Sequence, residues 1–170
     1  MDSMADLLKA YNLTPEAEEV LQAAEMYANQ YGGEIQTEHL LIVLAQADGT
    51  RAARILEQFG ILSSDIEYDL ALKEREVLES WLNGDTEFTM PIKGATPALI
   101  RVLDRASAEL TESCSRQQRA PMDTEHLLLG LALEPNGLAS AILFSNRLDH
   151  VAVRRELKRM DAGNEAAKVA

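Results

Sequence analysis

Three observations predict an all-α chain built from two copies of one helical unit. The first is an internal repeat. Thr37-Glu38-His39-Leu40-Leu41 returns 87 residues later as Thr124-Glu125-His126-Leu127-Leu128, and the same spacing brings Ala52, Ala53, Ile55 and Leu56 onto Ala139, Ser140, Ile142 and Leu143. Upstream the spacing is 82: Thr14-Pro15 matches Thr96-Pro97, and Ala17, Val20, Leu21 and Ala24 match Leu99, Val102, Leu103 and Ala106. Apolar positions persist while polar ones drift, as in a duplicated unit whose buried face is constrained. The polar segment from Ser113 to Asp123 absorbs the five-residue difference as a loop. The second is composition: 46% of residues are apolar but only 5% aromatic, so the core is Leu, Ala, Ile and Val, which favours helices over sheets. The third is that helix start and stop signals recur at matched places in the two halves.

Taken in order, residues 1–12 form a lead-in carrying Leu7, Leu8 and Tyr11. The first repeat spans 13–82. Thr14 caps a helix with Pro15 at its first position and Glu16, Glu18 and Glu19 in the turn that favours negative charge; it runs to about Tyr31 and closes at Gly32-Gly33. Thr37 caps a second helix, with Glu38 in its first turn and a wide apolar face of Leu40, Leu41, Val43, Leu44 and Ala47. A third runs from about Thr50 to Phe59 and stops at Gly60. Ser64-Asp65-Ile66-Glu67 has the pattern of a capping box and opens a fourth helix reaching Trp81 or Leu82. A linker, 83–95, follows, in which Phe88-Thr89-Met90-Pro91-Ile92 is too short and too broken by Pro for a strand. The second repeat, 96–160, has helices from Thr96 to about Ser115, Thr124 to about Leu133, Gly137 to about Asn146 and Asp149 to about Met160. Residues 161–170 have few large apolar side chains and read as a disordered tail.

A net charge of -12 repels phosphate backbones, which argues against nucleic-acid binding. The basic run Arg154, Arg155, Lys158, Arg159 reads as a solvated helix end favoured by the macrodipole. The opposite charge gathers between Asp65 and Glu87, where eight acids face two bases; this is either a solvated acidic helix or a docking face for a basic partner. A single cysteine, Cys114, excludes an internal disulfide and a thiolate metal cage. No apolar run approaches the roughly 20 residues of a membrane span, and the opening Met1-Asp2-Ser3-Met4 is neither a secretory signal nor a typical transit peptide.

Catalytic chemistry is not visible. His39 and His126 each follow a Glu, which suggests a helical metalloprotein, but adjacent residues point about 100° apart on a helix, whereas helical ligand pairs need a spacing of three or four. Only Asp123 and His126 have that spacing, and the first repeat carries Gln36 instead; a histidine packed at a helix start against a backbone partner fits better, and no metal is expected. No Ser-His-Asp or Cys-His set assembles from spacing, and the common glycine-rich nucleotide loops are missing, so neither a catalytic set nor a cofactor is expected. The work left for such a chain is binding.

Thr-Glu-His-Leu-Leu followed about a dozen residues later by Ala-Ala/Ser-x-Ile-Leu, present twice with Thr-Pro opening each half, resembles the double Clp repeat at the N-terminus of the Clp AAA+ unfoldases, the ClpC type most of all. The resemblance runs from about Tyr11 to Leu157. It implies two four-helix repeats related by a pseudo-twofold axis, forming one compact unit without catalytic activity. It also implies recruitment of substrate proteins or adaptor proteins for an ATP-dependent unfoldase that feeds a protease. A second form of the same resemblance is a free-standing relative like the plastid ClpT subunits, which associate with the Clp protease core. The first implies a cytoplasmic protein and the second one of the plastid stroma. In ClpC-type domains the Glu of the Thr-Glu-His element helps to bind phosphorylated arginine; the matching positions are Glu38 and Glu125, with Thr37 and Thr124 beside them. A carboxylate can pair the guanidinium while helix-start amides meet the phosphate. Thr as a cap and Glu as a dipole partner suit the same four residues without a ligand.

Overall fold

The computed structural model describes residues 4–30, 33–85, 94–113 and 120–169. Among these, nine helices and one short parallel sheet follow the chain as α1 Met4–Ala10, α2 Pro15–Gln30, β1 Glu34–Ile35, α3 Thr37–Gln46, α4 Arg51–Gln58, α5 Ser63–Leu82, β2 Gly94–Ala95, α6 Pro97–Ser113, α7 Thr124–Leu133, α8 Leu138–Ser145 and α9 His150–Val169. The three later helices of each half, α3 to α5 and α7 to α9, begin and end 87 residues apart, and α2 and α6 begin 82 apart. The duplication in sequence is thus a duplication of backbone, and the fold is all-α as expected.

The contacts between the halves show the pseudo-twofold directly. Ile35 pairs in parallel with Ala95, and Met122 pairs in parallel with Leu13. Each member of one pair is the repeat equivalent of a member of the other, crossed over. The hydrogen bonds repeat as well: the Thr96 N–H donates to the Ile35 carbonyl at 3.0 Å and the Thr14 N–H to the Met122 carbonyl at 2.9 Å. Both threonines then cap their helices in the same way, accepting from the Leu99 and Ala17 amides at 3.2 Å.

Two helices lie at the centre. Leu40, Leu41, Ile42 and Leu44 of α3 and Leu127, Leu128 and Leu131 of α7 have no exposed surface. A helix apolar on nearly every side is stable only when surrounded. Here α3 lies against α2, α4 and α5 of its own half and against α6, α7 and α8 of the other, while α7 has α6, α8 and α9 with α2, α3 and α4 across the axis. Each fully buried Leu or Ile contributes roughly 1.5–3 kcal/mol of transfer free energy. The lead-in also contributes, since α1 buries Met4 and Leu7 in the same core.

Helix ends show where sequence signals mislead. The caps of α3 and α7 are Gln36 and Asp123, one residue before the expected threonines, which occupy the first helical turn and are buried. The expected Ser64 capping box is not used: the cap of α5 is Leu62 and the helix starts at Ser63, because α4 ends in a tight turn that commits the chain two residues earlier. In that turn Gly60 has φ 70° and the Ile61 N–H donates to Leu56 O at 2.9 Å; in the second half Arg147 takes φ 61° and the Leu148 N–H donates to Leu143 O at 2.9 Å. The expected disordered tail is helical, as α9 continues to Val169 with the bounds of its mate α5. Its added turns are exposed, but Ala162, Glu165, Ala166 and Ala167 are good helix formers and one Gly163 does not outweigh them. The basic run therefore lies inside α9 rather than at its end, held partly by ion pairs from Arg154 to Glu109 and from Arg159 to Glu156. The expected ends of the first helix at Gly32 and of the fifth at Ser115, the Phe88–Ile92 stretch and Cys114 lie outside the described residues.

Candidate functional site

The two Thr-Glu-His elements form symmetric helix starts. In each, the histidine at the third helical position turns back and its Nδ1 accepts from the cap residue's backbone N–H, Gln36 to His39 at 3.1 Å and Asp123 to His126 at 3.0 Å. The bond ties Nδ1 to the backbone, leaving the proton on Nε2, so the histidine acts as the returning half of a capping box. His39 is buried and meets the Tyr27 ring at a centroid distance of 5.7 Å. Burial is the main cause that holds its pKa below the ordinary histidine value, with the Lys73 charge in the same direction, against the Glu38 carboxylate and a backbone hydrogen bond. Asp123 is tied to the backbone and across the axis, accepting from the Thr124 N–H at 2.7 Å and the Thr14 hydroxyl at 3.0 Å.

Thr37, Glu38, Thr124 and Glu125 are all buried, with exposures of 3, 1, 1 and 6%. Glu38 accepts from the Thr37 hydroxyl at 3.0 Å and pairs with Lys73 Nζ of α5 at 2.8 Å. Glu125 pairs at 2.9 Å with a guanidinium nitrogen of Arg51, which arrives from α4 of the other half. The same guanidinium donates to the Leu157 carbonyl at 3.1 Å and to Asp161 at 2.7 Å, clamping α4 to α9. Glu125 Oε2 and Arg51 Nε are buried without a hydrogen bond between them or to another described group. Where Arg51 reaches Glu125, its repeat equivalent is Leu138, which follows Gly137 above Thr37; a side chain at Gly137 would lie 2.5 Å from the Thr37 hydroxyl. Each helix start is thus completed by the opposite half, one by an arginine and the other by a glycine.

Chemically, each start is a carboxylate held in low dielectric beside the positive end of a helix and neutralised by a cation from elsewhere in the chain. Such a site can hold an ammonium or a guanidinium. The Thr37 hydroxyl, a nucleophile type, meets the Glu38 carboxylate at 3.0 Å, but that carboxylate is already paired with Lys73; the described residues hold no cluster of three metal-binding side chains. The partner cations Arg51 and Lys73 were not anticipated from sequence, because the first contact spans 74 positions and the second 35. Glu134 was also missed. Only 1% exposed, it takes hydrogen bonds from Arg101 Nε and the Asn136 amide and sits 3.2 Å from Arg105; these outweigh the opposing effect of burial and hold its carboxyl below the usual range.

Residues 12–117, more than half of the chain, match the family model of the Clp repeat (R) N-terminal domain. The chain belongs to the Clp N-terminal domain family. The match begins at the strand-like lead into α2 and extends past α6, and the pseudo-twofold carries the same plan through α9. Comparison with curated proteins gives no match. The Clp N-terminal domain is a non-catalytic family, and membership supports a general protein-interaction role for the chain in the Clp system.

Proposed function

We propose that this Clp N-terminal domain recruits substrate proteins or adaptors for an ATP-dependent Clp unfoldase and its protease, and that it catalyses nothing itself. The observation that carries this reading is the pair of helix starts, each holding a buried carboxylate on a cation borne by a long side chain. Lys73 is 43% exposed and Arg51 30%, so each has a path to solvent and a ligand cation can take its place. At Glu125 the unused Oε2 is placed to accept a second N–H from a guanidinium. The ligand assigned to both starts is a phosphorylated arginine on a client protein. Glu38 and Glu125 take the guanidinium, while Thr37, Thr124 and the helix-start amides take the phosphate.

Capture on the immobilised chain tests the role. Retention of adaptors or unfolded clients that a phospho-arginine wash releases is the expected result. Retention of the protease core alone, unaffected by that wash, would instead assign the chain to docking on the core as an accessory subunit.

A further inference from the structure

After Leu70, α5 contributes no buried residue and projects for twelve more positions, about 18 Å at 1.5 Å per residue. The apolar line that begins at Ile66 and Leu70 does not end where burial ends. Val77 and Trp81 continue it at helical spacing, and Leu78 and Leu82 widen it, with exposures of 60, 41, 52 and 69%. Large apolar side chains gathered on one exposed helix face mark an interaction site more often than scattered ones do. Acids surround them: Asp65, Glu67, Asp69, Glu74, Glu76 and Glu79 against Lys73 and Arg75 give α5 a net charge of -4, and Lys73 is already committed to Glu38. Glu74 lies within the apolar face, one turn before Leu78.

The mate helix supplies an internal control. α9 has the same length and the same exposed outer turns, but in place of Val77, Leu78 and Trp81 it carries Asn164, Glu165 and Lys168, staying apolar at Val169, the mate of Leu82. A projecting helix end in this fold is therefore compatible with a polar surface, and α5 departs from that while α9 does not.

We propose that the outer half of α5 is a second docking surface, separate from the helix starts, whose partner is a basic polypeptide segment with an apolar face. The apolar stripe requires an apolar counterface, and the -4 of the helix within a chain of -12 attracts a cationic segment and repels an acidic one. The partner lays Leu-, Ile- or Phe-type side chains on Val77, Leu78 and Trp81 and sets Lys or Arg against Glu74 and its neighbours. This inference rests on the reading of the chain as a recruiting domain and names a second class of segment that it recruits.

Trp81 is the only tryptophan, so its fluorescence reports on this face alone. The full chain is titrated with a designed amphipathic Leu-Lys peptide, with a Leu-Glu peptide of the same pattern as control. The expected result is a blue shift with the Leu-Lys peptide, at least tenfold weaker binding to Val77→Ser/Leu78→Ser, a several-fold loss with Glu74→Gln/Glu79→Gln, and no shift with Leu-Glu. The substituted apolar residues are exposed, and circular dichroism verifies folding. Equal binding by the Val77/Leu78 variant, or equal binding of the acidic peptide, overturns the proposal. So does sedimentation showing that the chain alone dimerises through these residues, which would give the face to a second copy, its basic α9 being the natural counterpart. Capture of clients by a chain that ignores the Leu-Lys peptide defeats this inference and leaves recruitment standing; peptide binding without capture of clients or adaptors does the reverse.

Discussion

Gly130 offers the sharpest test of how the two halves differ. It lies in the middle of α7, where a Cβ would fall 2.4 Å from the Val102 carbonyl oxygen, 3.1 Å from Ala106 Cβ and 3.2 Å from Val102 Cγ1. The nearest obstacle is backbone, which cannot swing aside. An acceptable carbon to oxygen contact begins near 3.3 Å, so Gly130→Ala pushes α7 about 1 Å from α6. Overpacking of this kind costs about 1–3 kcal/mol, and replacing a mid-helix glycine by alanine returns about 0.8–1 kcal/mol. The new methyl would meet α6 at three atoms, one of them backbone, which places the cost toward the upper end. The expected net loss is about 1–2 kcal/mol, a fall in Tm of roughly 2–8 °C for a domain of this size. Thermal unfolding followed by circular dichroism at 222 nm measures it. An unchanged or raised Tm would refute the reasoning. Gly130→Val should cost more, although it only gives the second half the residue that the first half already buries at Val43.

Other substitutions probe other links of the account. Arg147 holds a left-handed backbone where its mate is Gly60, so Arg147→Gly should raise stability by about 0.5–1 kcal/mol and Gly60→Arg should lower it by at least as much, read from urea midpoints. Arg51→Ala leaves Glu125 buried without its cation and releases Asp161 and the Leu157 carbonyl; a loss of about 2–4 kcal/mol is expected, against a smaller one, about 1–3 kcal/mol, for Lys73→Ala, which strands the equally buried Glu38 but frees no other group and leaves it the Thr37 hydroxyl. Because burial lowers the His39 pKa, the unfolded chain binds a proton there before the folded chain does. Stability should fall as pH drops from the ordinary histidine value through the folded one, and NMR titration of the ring should place the folded value below 6.5. Glu134 acts in a more acidic window. Its stabilisation is present above the unfolded carboxyl value near 4.3 and lost as pH falls through the lower folded value, so Glu134→Gln should flatten the acid limb of a stability profile.

Much of the fold was written in repeated residues. The recurrence of Thr-Glu-His-Leu-Leu and the paired Thr-Pro starts were enough for the helix order and for the equivalence of the halves, because spacing of apolar residues reports directly on buried faces. What escaped was set by tertiary contact. Thr37 and Thr124 look like caps, but a threonine can also be packed into the first turn; the backbone partner expected for each histidine is present, the Gln36 amide for His39 and the Asp123 amide for His126. The tail from Asp161 looks too polar to fold, yet it extends a helix already nucleated by its packed first half. At the site, the glutamates were legible and their cations were not, since Arg51 and Lys73 reach them from other helices. Glu134 precedes Pro135-Asn136-Gly137, residue types of a turn, and nothing local announces two arginines on a neighbouring helix.

The central claim is that the two symmetry-related carboxylates at the helix starts are recruiting sites, with Lys73 and Arg51 holding the place of a ligand cation. Isothermal titration calorimetry of the purified chain with free phospho-arginine tests it most directly. The account predicts saturable binding at two sites, one lost in Glu38→Gln and the other in Glu125→Gln, with each variant shown to be folded. Absence of binding heat, or heat that survives both substitutions together, would contradict it.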